Sequence, residues 1–160
     1  MLDTKIVNAR VIDGSGRAAY SADVGILAGR IAAIGDLKET AAGECIDAHG
    51  RALTPGFLDI HRHADLAVLS PDFGEWELRQ GLTAIVNGNC GLSAAPLSGP
   101  HREELRRYLA PITGDAGEAD FPALGDYFRR CGRLPLHAGQ LIGMGTLRAN
   151  AAGFRPGPLT

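Results

Sequence analysis

The sequence predicts an α/β chain in two parts, and three observations carry that reading. No helix of useful length is visible before Pro55. After Pro55, strand candidates alternate with helix candidates, the texture of βα units on a parallel sheet. Glycine is abundant, 22 of 160 residues, which supplies the many tight turns such a chain needs.

The segment 1–55 reads as strands and turns. "KIVNARVID" is β-rich and ends at "GSG". "ADVGILAGRIAAIGDL" is two apolar runs around Ala28-Gly29, a hairpin signal because the glycine accepts positive φ. Turns are expected at His49-Gly50 and Pro55-Gly56.

The segment 56–160 opens with a buried-type strand over 57–60. Ser70 is placed to cap a helix that has Pro71 at its first position and Gly81 past its end. The second strand is expected over 83–87. The run "HREELRRYLA" predicts a polar helix. Asp120 is expected to cap a helix in which Phe121, Leu124 and Phe128 share a face. The third strand is expected over 134–145, and the tail 151–160 carries no further strand signal. A closed (β/α)₈ barrel takes about 250 residues; a barrel begun here would be incomplete within the 160.

Formal net charge is −2. This balance disfavours nucleic acid or an anionic membrane surface as the main partner. The start lacks a signal-peptide pattern, and no run of about 18 apolar residues exists to span a membrane. The widely spaced Cys45, Cys90 and Cys131 read as thiols or metal ligands in the cytoplasm.

Chemistry concentrates at strand ends. His61 and His63, in "FLDIHRHADL", follow the first strand of the second segment. On a strand, positions i and i+2 share a face, so two imidazoles would stand side by side as metal ligands do. The alternative is a pair of loop histidines. Cys90, in "NGNCGLS" after the second strand, is a third ligand candidate, with a small buried turn residue as its alternative. Asp59 would share the histidines' face and orient an imidazole from behind. Asp65 is a candidate ligand or substrate contact. Solvated carboxylates are equally compatible with either position. Lys5 and Lys38 are the only lysines, both in the first segment. No carboxylated lysine from the second segment can therefore bridge two metals, which leaves Cys90 as the one soft bridging candidate there. His137 reads as structural and Met144 as core packing. Cys45, Cys131, His49 and His101 have no assignable partners. Arg62 and Arg148 are candidates for a substrate carboxylate.

Taken together, "ILAGRIAAIG", "IDAHGRALTPGFLDIHRHAD", "QGLTAIVNGNCGLSAAPL" and "GMGTLRANAAGF" resemble the N-acyl-D-amino-acid deacylase (D-aminoacylase) branch of the amidohydrolase superfamily. The resemblance implies that 1–55 is the N-terminal part of a small β-sandwich. It implies that 56–160 holds the first three βα units of a metal-dependent TIM-like barrel. His61, His63 and Cys90 would bind one or two zinc ions, and a metal-activated water would hydrolyse the amide of an N-acyl-D-amino acid. The general base would lie outside this chain, in the rest of the enzyme or a complementing chain. Alternative substrates are N-acyl-D-glutamate or -aspartate and cyclic amides, the last as in hydantoinases and dihydroorotases. A further alternative is an inactive piece that needs its complement. Met144 stands where this branch often has histidine.

Overall fold

The computed structural model describes residues 1–115 and 117–158. The chain divides into two compact units, one over Met1–Pro55 and one beginning at Gly56.

The first unit is a five-stranded sheet. Strands β1 (Leu2–Val11), β2 (Tyr20–Leu27), β3 (Arg30–Gly35) and β4 (Ala42–Asp47) stand in the order β3-β2-β1-β4, and the short β5 (Ala52–Leu53) also pairs with β1. The two hairpins are antiparallel; β4 and β5 run parallel to β1. The β2–β3 turn falls at Ala28-Gly29 as expected, with φ of 50° and 70°. Two consecutive positive φ values match the turn twist that tight hairpins favour. Ala9, Val11 and Val24 form the buried centre. A bulge breaks the β1–β2 register between Ile6 and Ala9. The freed amide of Asn8 donates to Asp23 Oδ1 at 3.0 Å, and Leu37 N–H donates to Asp23 Oδ2 at 3.0 Å. Lys5, also buried, spends its ammonium on the carbonyls of Leu37, Lys38 and Thr40 at 3.0–3.2 Å. In the β1–β2 loop, hydrogen bonds from Ser15 and the nearby Arg17 pull the half-buried Asp13 carboxyl down to about 2.

The second unit holds three parallel strands in the order β6-β7-β8: β6 (Phe57–Asp59), β7 (Leu82–Asn87) and β8 (His137–Gln140). Helix α1 (Glu75–Arg79) connects the first pair. Helices α2 (Arg102–Thr113) and α3 (Leu124–Cys131) connect the second, and α4 (Met144–Ala152) follows β8. Ile85 of β7 packs into a core with Leu66, Leu97, Leu105, Leu109, Phe121 and Tyr127. The Phe121 and Tyr127 rings meet edge to face at 5.6 Å. The described residues form no closed barrel. Phe57, Leu58 and Ile60 on one side, and Leu141 and Ile142 beyond the other edge strand, are exposed.

Several expectations need correction. The third strand spans only His137–Gln140, because the chain leaves the sheet at Leu141, whose amide reaches back to Asn87 O at 2.9 Å. Met144 is therefore the first residue of a helix, 74% exposed rather than packed in a core. The helix expected from Ser70 begins only at Glu75, since Ser70 ends a short 3₁₀ turn over Ala67–Leu69. Its end before Gly81 is as expected. Asp120 does not cap α3. Asp126 does, accepting the Ala123 amide at 2.9 Å, while Asp120 lies 3.6 Å from Arg102. Phe121 precedes that helix in a bridge to Leu97, and Tyr127, not Phe128, is the helix's buried aromatic.

Candidate metal centre

Strand β6 stops at Asp59, so His61 and His63 are carried by the segment after it. They nevertheless end up neighbours. Arg62 N–H donates to Val86 O at 3.0 Å, and Ala64 N–H donates to Asn87 Oδ1 at 3.1 Å. Pinning alternate residues to the end of β7 restores the two-residue period without a strand. The rings of His61 and His63 lie 5.6 Å apart, inclined at 67°.

Cys90 sits in a turn over Asn89–Gly91, just past β7. Its φ of 56° is left-handed and costs a non-glycine residue energy, a kind of strain that recurs at functional sites. The turn is wedged from both sides. A Cβ on Gly88 would lie 2.2 Å from Leu141 O, and one on Gly143 would lie 2.3 Å from the Gly91 backbone. Ser93, fully buried, fixes the turn to α4: its amide donates to Thr146 Oγ1 at 2.8 Å, and its hydroxyl accepts from Gly143 N–H at 3.0 Å.

His61 Nε2 lies 3.2 Å from Cys90 Sγ. One donor atom from each of His61, His63 and Cys90 falls within 4.8 Å of the others. Ligands on one tetrahedral zinc, with bonds of about 2.0 and 2.3 Å, stand roughly 3.5 Å apart. The donor set of two imidazoles and a thiol therefore fits a zinc-like ion. His63 also keeps a buried Nδ1 with no hydrogen-bond partner.

The two carboxylates play different parts from those expected. Asp59 accepts the backbone amide of His61 at 3.1 Å, not a ring N–H. Asp65 is fully buried, its Oδ1 taking Gln140 Nε2 at 2.6 Å and its backbone carbonyl taking the Tyr127 hydroxyl at 2.7 Å. Burial pushes the Asp65 carboxyl up, against the opposing pull of the Gln140 hydrogen bond. Burial also raises Tyr127 and Cys131.

The remaining candidates lie elsewhere. His137 is exposed at the start of β8, the end away from Gln140. His49 faces Asp47 at 3.5 Å and His101 faces Glu104 at 3.9 Å. Arg62 turns to Glu77 and Asp59, and Arg148 donates to the carbonyls of Arg155 and Gly157. Sequence reasoning missed Asn87, Asn89, Glu77 and Gln140. The alternating asparagines of "NGNCG" were a signal for the first two, whereas nothing local marked Glu77 or Gln140.

No protein-family model matches the chain. It is 40% identical over 148 residues to an N-acyl-D-glutamate deacylase of Alcaligenes xylosoxydans xylosoxydans, covering 92% of the chain and 26% of that relative. The crystal structure of an N-acyl-D-glutamate deacylase from Bordetella bronchiseptica contains zinc and a phosphonate inhibitor that mimics the tetrahedral intermediate. It matches with a TM-score of 0.81 and 38% identity, over 94% of this chain and 31% of that one. A D-aminoacylase structure, described as defining a novel subset of amidohydrolases, matches with a TM-score of 0.79 and 32% identity, over 95% of this chain and 32% of that one. The chain thus spans between a quarter and a third of the length of these proteins.

Proposed function

Since the chain belongs, over the N-terminal part it shares with them, to the N-acyl-D-amino-acid deacylases of the amidohydrolase superfamily, we propose that it supplies the zinc-binding portion of an enzyme that hydrolyses the amide bond of N-acyl-D-amino acids. The observation that carries this is the convergence of His61, His63 and Cys90 donors within 4.8 Å. These residues would hold one or two zinc ions. When bound, zinc polarises the amide carbonyl and lowers the pKa of a water so that it can attack at neutral pH. The chain's own contribution is positional. Asp59 fixes the amide of His61, and the turn at Gly88–Gly91 presents the Cys90 sulfur to it.

On this reading, residues 1–55 are the N-terminal part of a β-sandwich and 56–160 are the first three βα units of a TIM-like barrel. The general base and further ligands would come from the remaining βα units, in the same polypeptide or a complementing one. The free edge of β8 and the exposed Leu141 and Ile142 support a further strand on that side. The unpaired cysteines suit a cytoplasmic site of action. A D-acidic substrate is the narrower reading: identity to the N-acyl-D-glutamate deacylases is 38–40%, against 32–35% to D-aminoacylases.

Elemental analysis of the purified chain alongside its intact mass tests the metal reading. About one zinc or more per chain is expected, falling on Cys90→Ala; equal zinc in parent and variant would remove Cys90 from the site. Release of D-glutamate, but not D-leucine, from the N-acetyl compounds by the assembled enzyme would establish the acidic substrate.

A further inference from the structure

We propose that Arg62, Glu77 and Asn89 form a clamp that sets the spacing of the three donors before any ion arrives. This rests on reading His61, His63 and Cys90 as metal ligands. Arg62 stands between the two histidines, yet its side chain leaves the site. Its Nη2 lies 2.5 Å from Glu77 Oε1, and its Nη1 lies 3.6 Å from Asp59 Oδ2. Glu77 is only 7% exposed, and its other oxygen accepts the Gly74 amide at 3.2 Å, so both carboxylate oxygens are held. The Arg62 backbone is held from the other direction. Its N–H reaches Val86 O, and its carbonyl accepts Asn89 Nδ2 at 3.2 Å. The same Asn89 amide group donates to Val86 O at 2.8 Å.

Asn89 is therefore the direct stitch between the loop that carries both histidines and the turn that carries Cys90, one residue before the cysteine. Side chain and backbone of Arg62 are consumed on the side facing α1 and β7. Its two neighbours are left to project together toward the sulfur. Groups behind metal ligands that fix their orientation are worth about 10–100-fold in affinity. Glu77 is not among the converging donors, and Asn89 spends its amide group on the carbonyls of Arg62 and Val86, so each would act by position and not as a ligand.

The test is a cobalt(II) titration of the full chain, following the thiolate-to-cobalt charge-transfer band. Parent, Asn89→Leu, Glu77→Gln and Cys90→Ser are compared, with circular dichroism on each metal-free protein. The clamp predicts that Asn89→Leu and Glu77→Gln bind cobalt roughly 10–100-fold more weakly, yet recover the band at saturation because the thiolate still ligates. Glu77→Gln keeps an acceptor for the Gly74 amide and so reads the clamp even if Asn89→Leu does not fold. If both variants bind within about twofold of the parent while Cys90→Ser abolishes the band, the clamp is overturned and the ligand reading stands. If the parent itself gives no band, the Cys90 assignment falls, and the clamp with it.

Discussion

The two units differ in how completely they satisfy their buried polar groups. In the first, Lys5 and Asp23 are buried and fully engaged: three carbonyls surround the ammonium, and two amides reach the carboxylate. In the second, His63 Nδ1, Asp65 Oδ2, Asn87 Nδ2 and Gln140 Oε1 are buried without partners, all at the C-terminal ends of β6, β7 and β8 or just beyond. Among the described residues only Arg106 Nε adds to that set, and none comes from the first unit. A buried polar group without a partner is costly. The first unit uses its polar groups as internal fasteners. The second leaves several such groups without protein partners around the strand ends that lead to His61, His63 and Cys90.

The comparison can be broken or sharpened by substitution, with amide hydrogen exchange separating the units by reporting β1–β2 and β7 individually. Phe121→Ala should have the largest effect, lowering the opening free energy of β7 amides by about 3–5 kcal/mol, because a fully enclosed ring facing Tyr127 leaves a cavity. Amides of β1 should be unmoved. Lys5→Met should cost the first unit about 2–3 kcal/mol, since three carbonyls lose a charged donor. A loss below about 0.5 kcal/mol would deny that its buried polar groups are fasteners. Tyr127→Phe should cost about 1 kcal/mol in the second unit, through the single hydrogen bond to Asp65 O. The smallest effect is kinetic. Burial raises the Cys131 thiol, so less of it is thiolate at any given pH. Iodoacetamide at about pH 8 should modify the exposed Cys45 and Cys90 before Cys131, as read by peptide mass. Cys131 reacting first would contradict its placement beside Tyr127.

Much of this was legible in residue order. Short-range signals did well: Ala28-Gly29 turned the chain because both φ values a tight hairpin needs were available there. The alternation after Pro55 gave parallel strands because apolar runs too short for helices were separated by amphipathic ones. Capping was less legible. Asp120 was the cap expected from the sequence, and the pairing of Phe121 with Leu97, which holds the chain extended beyond Asp120, leaves that role to Asp126. The apolar "LIGMG" resembled a strand's continuation. It is a turn into a helix because Gly143 packs against the Gly91 backbone, a contact between residues far apart in the chain.

By itself, the sequence determined the chemical identity of the donors and their nearness to strand ends, since residue type and local period are properties of neighbours along the chain. Tertiary structure decided how they meet. Strand β6 ends before either histidine, so the side-by-side geometry comes from Val86 and Asn87 gripping alternate residues of a loop. Arg62 became a tether rather than a substrate contact because Glu77, fifteen residues on, was folded against it. Asp65 became a buried acceptor because Gln140 arrived on the third strand. Such roles depend on which distant group is brought within hydrogen-bond reach, and that is fixed only when the sheet and its helices pack.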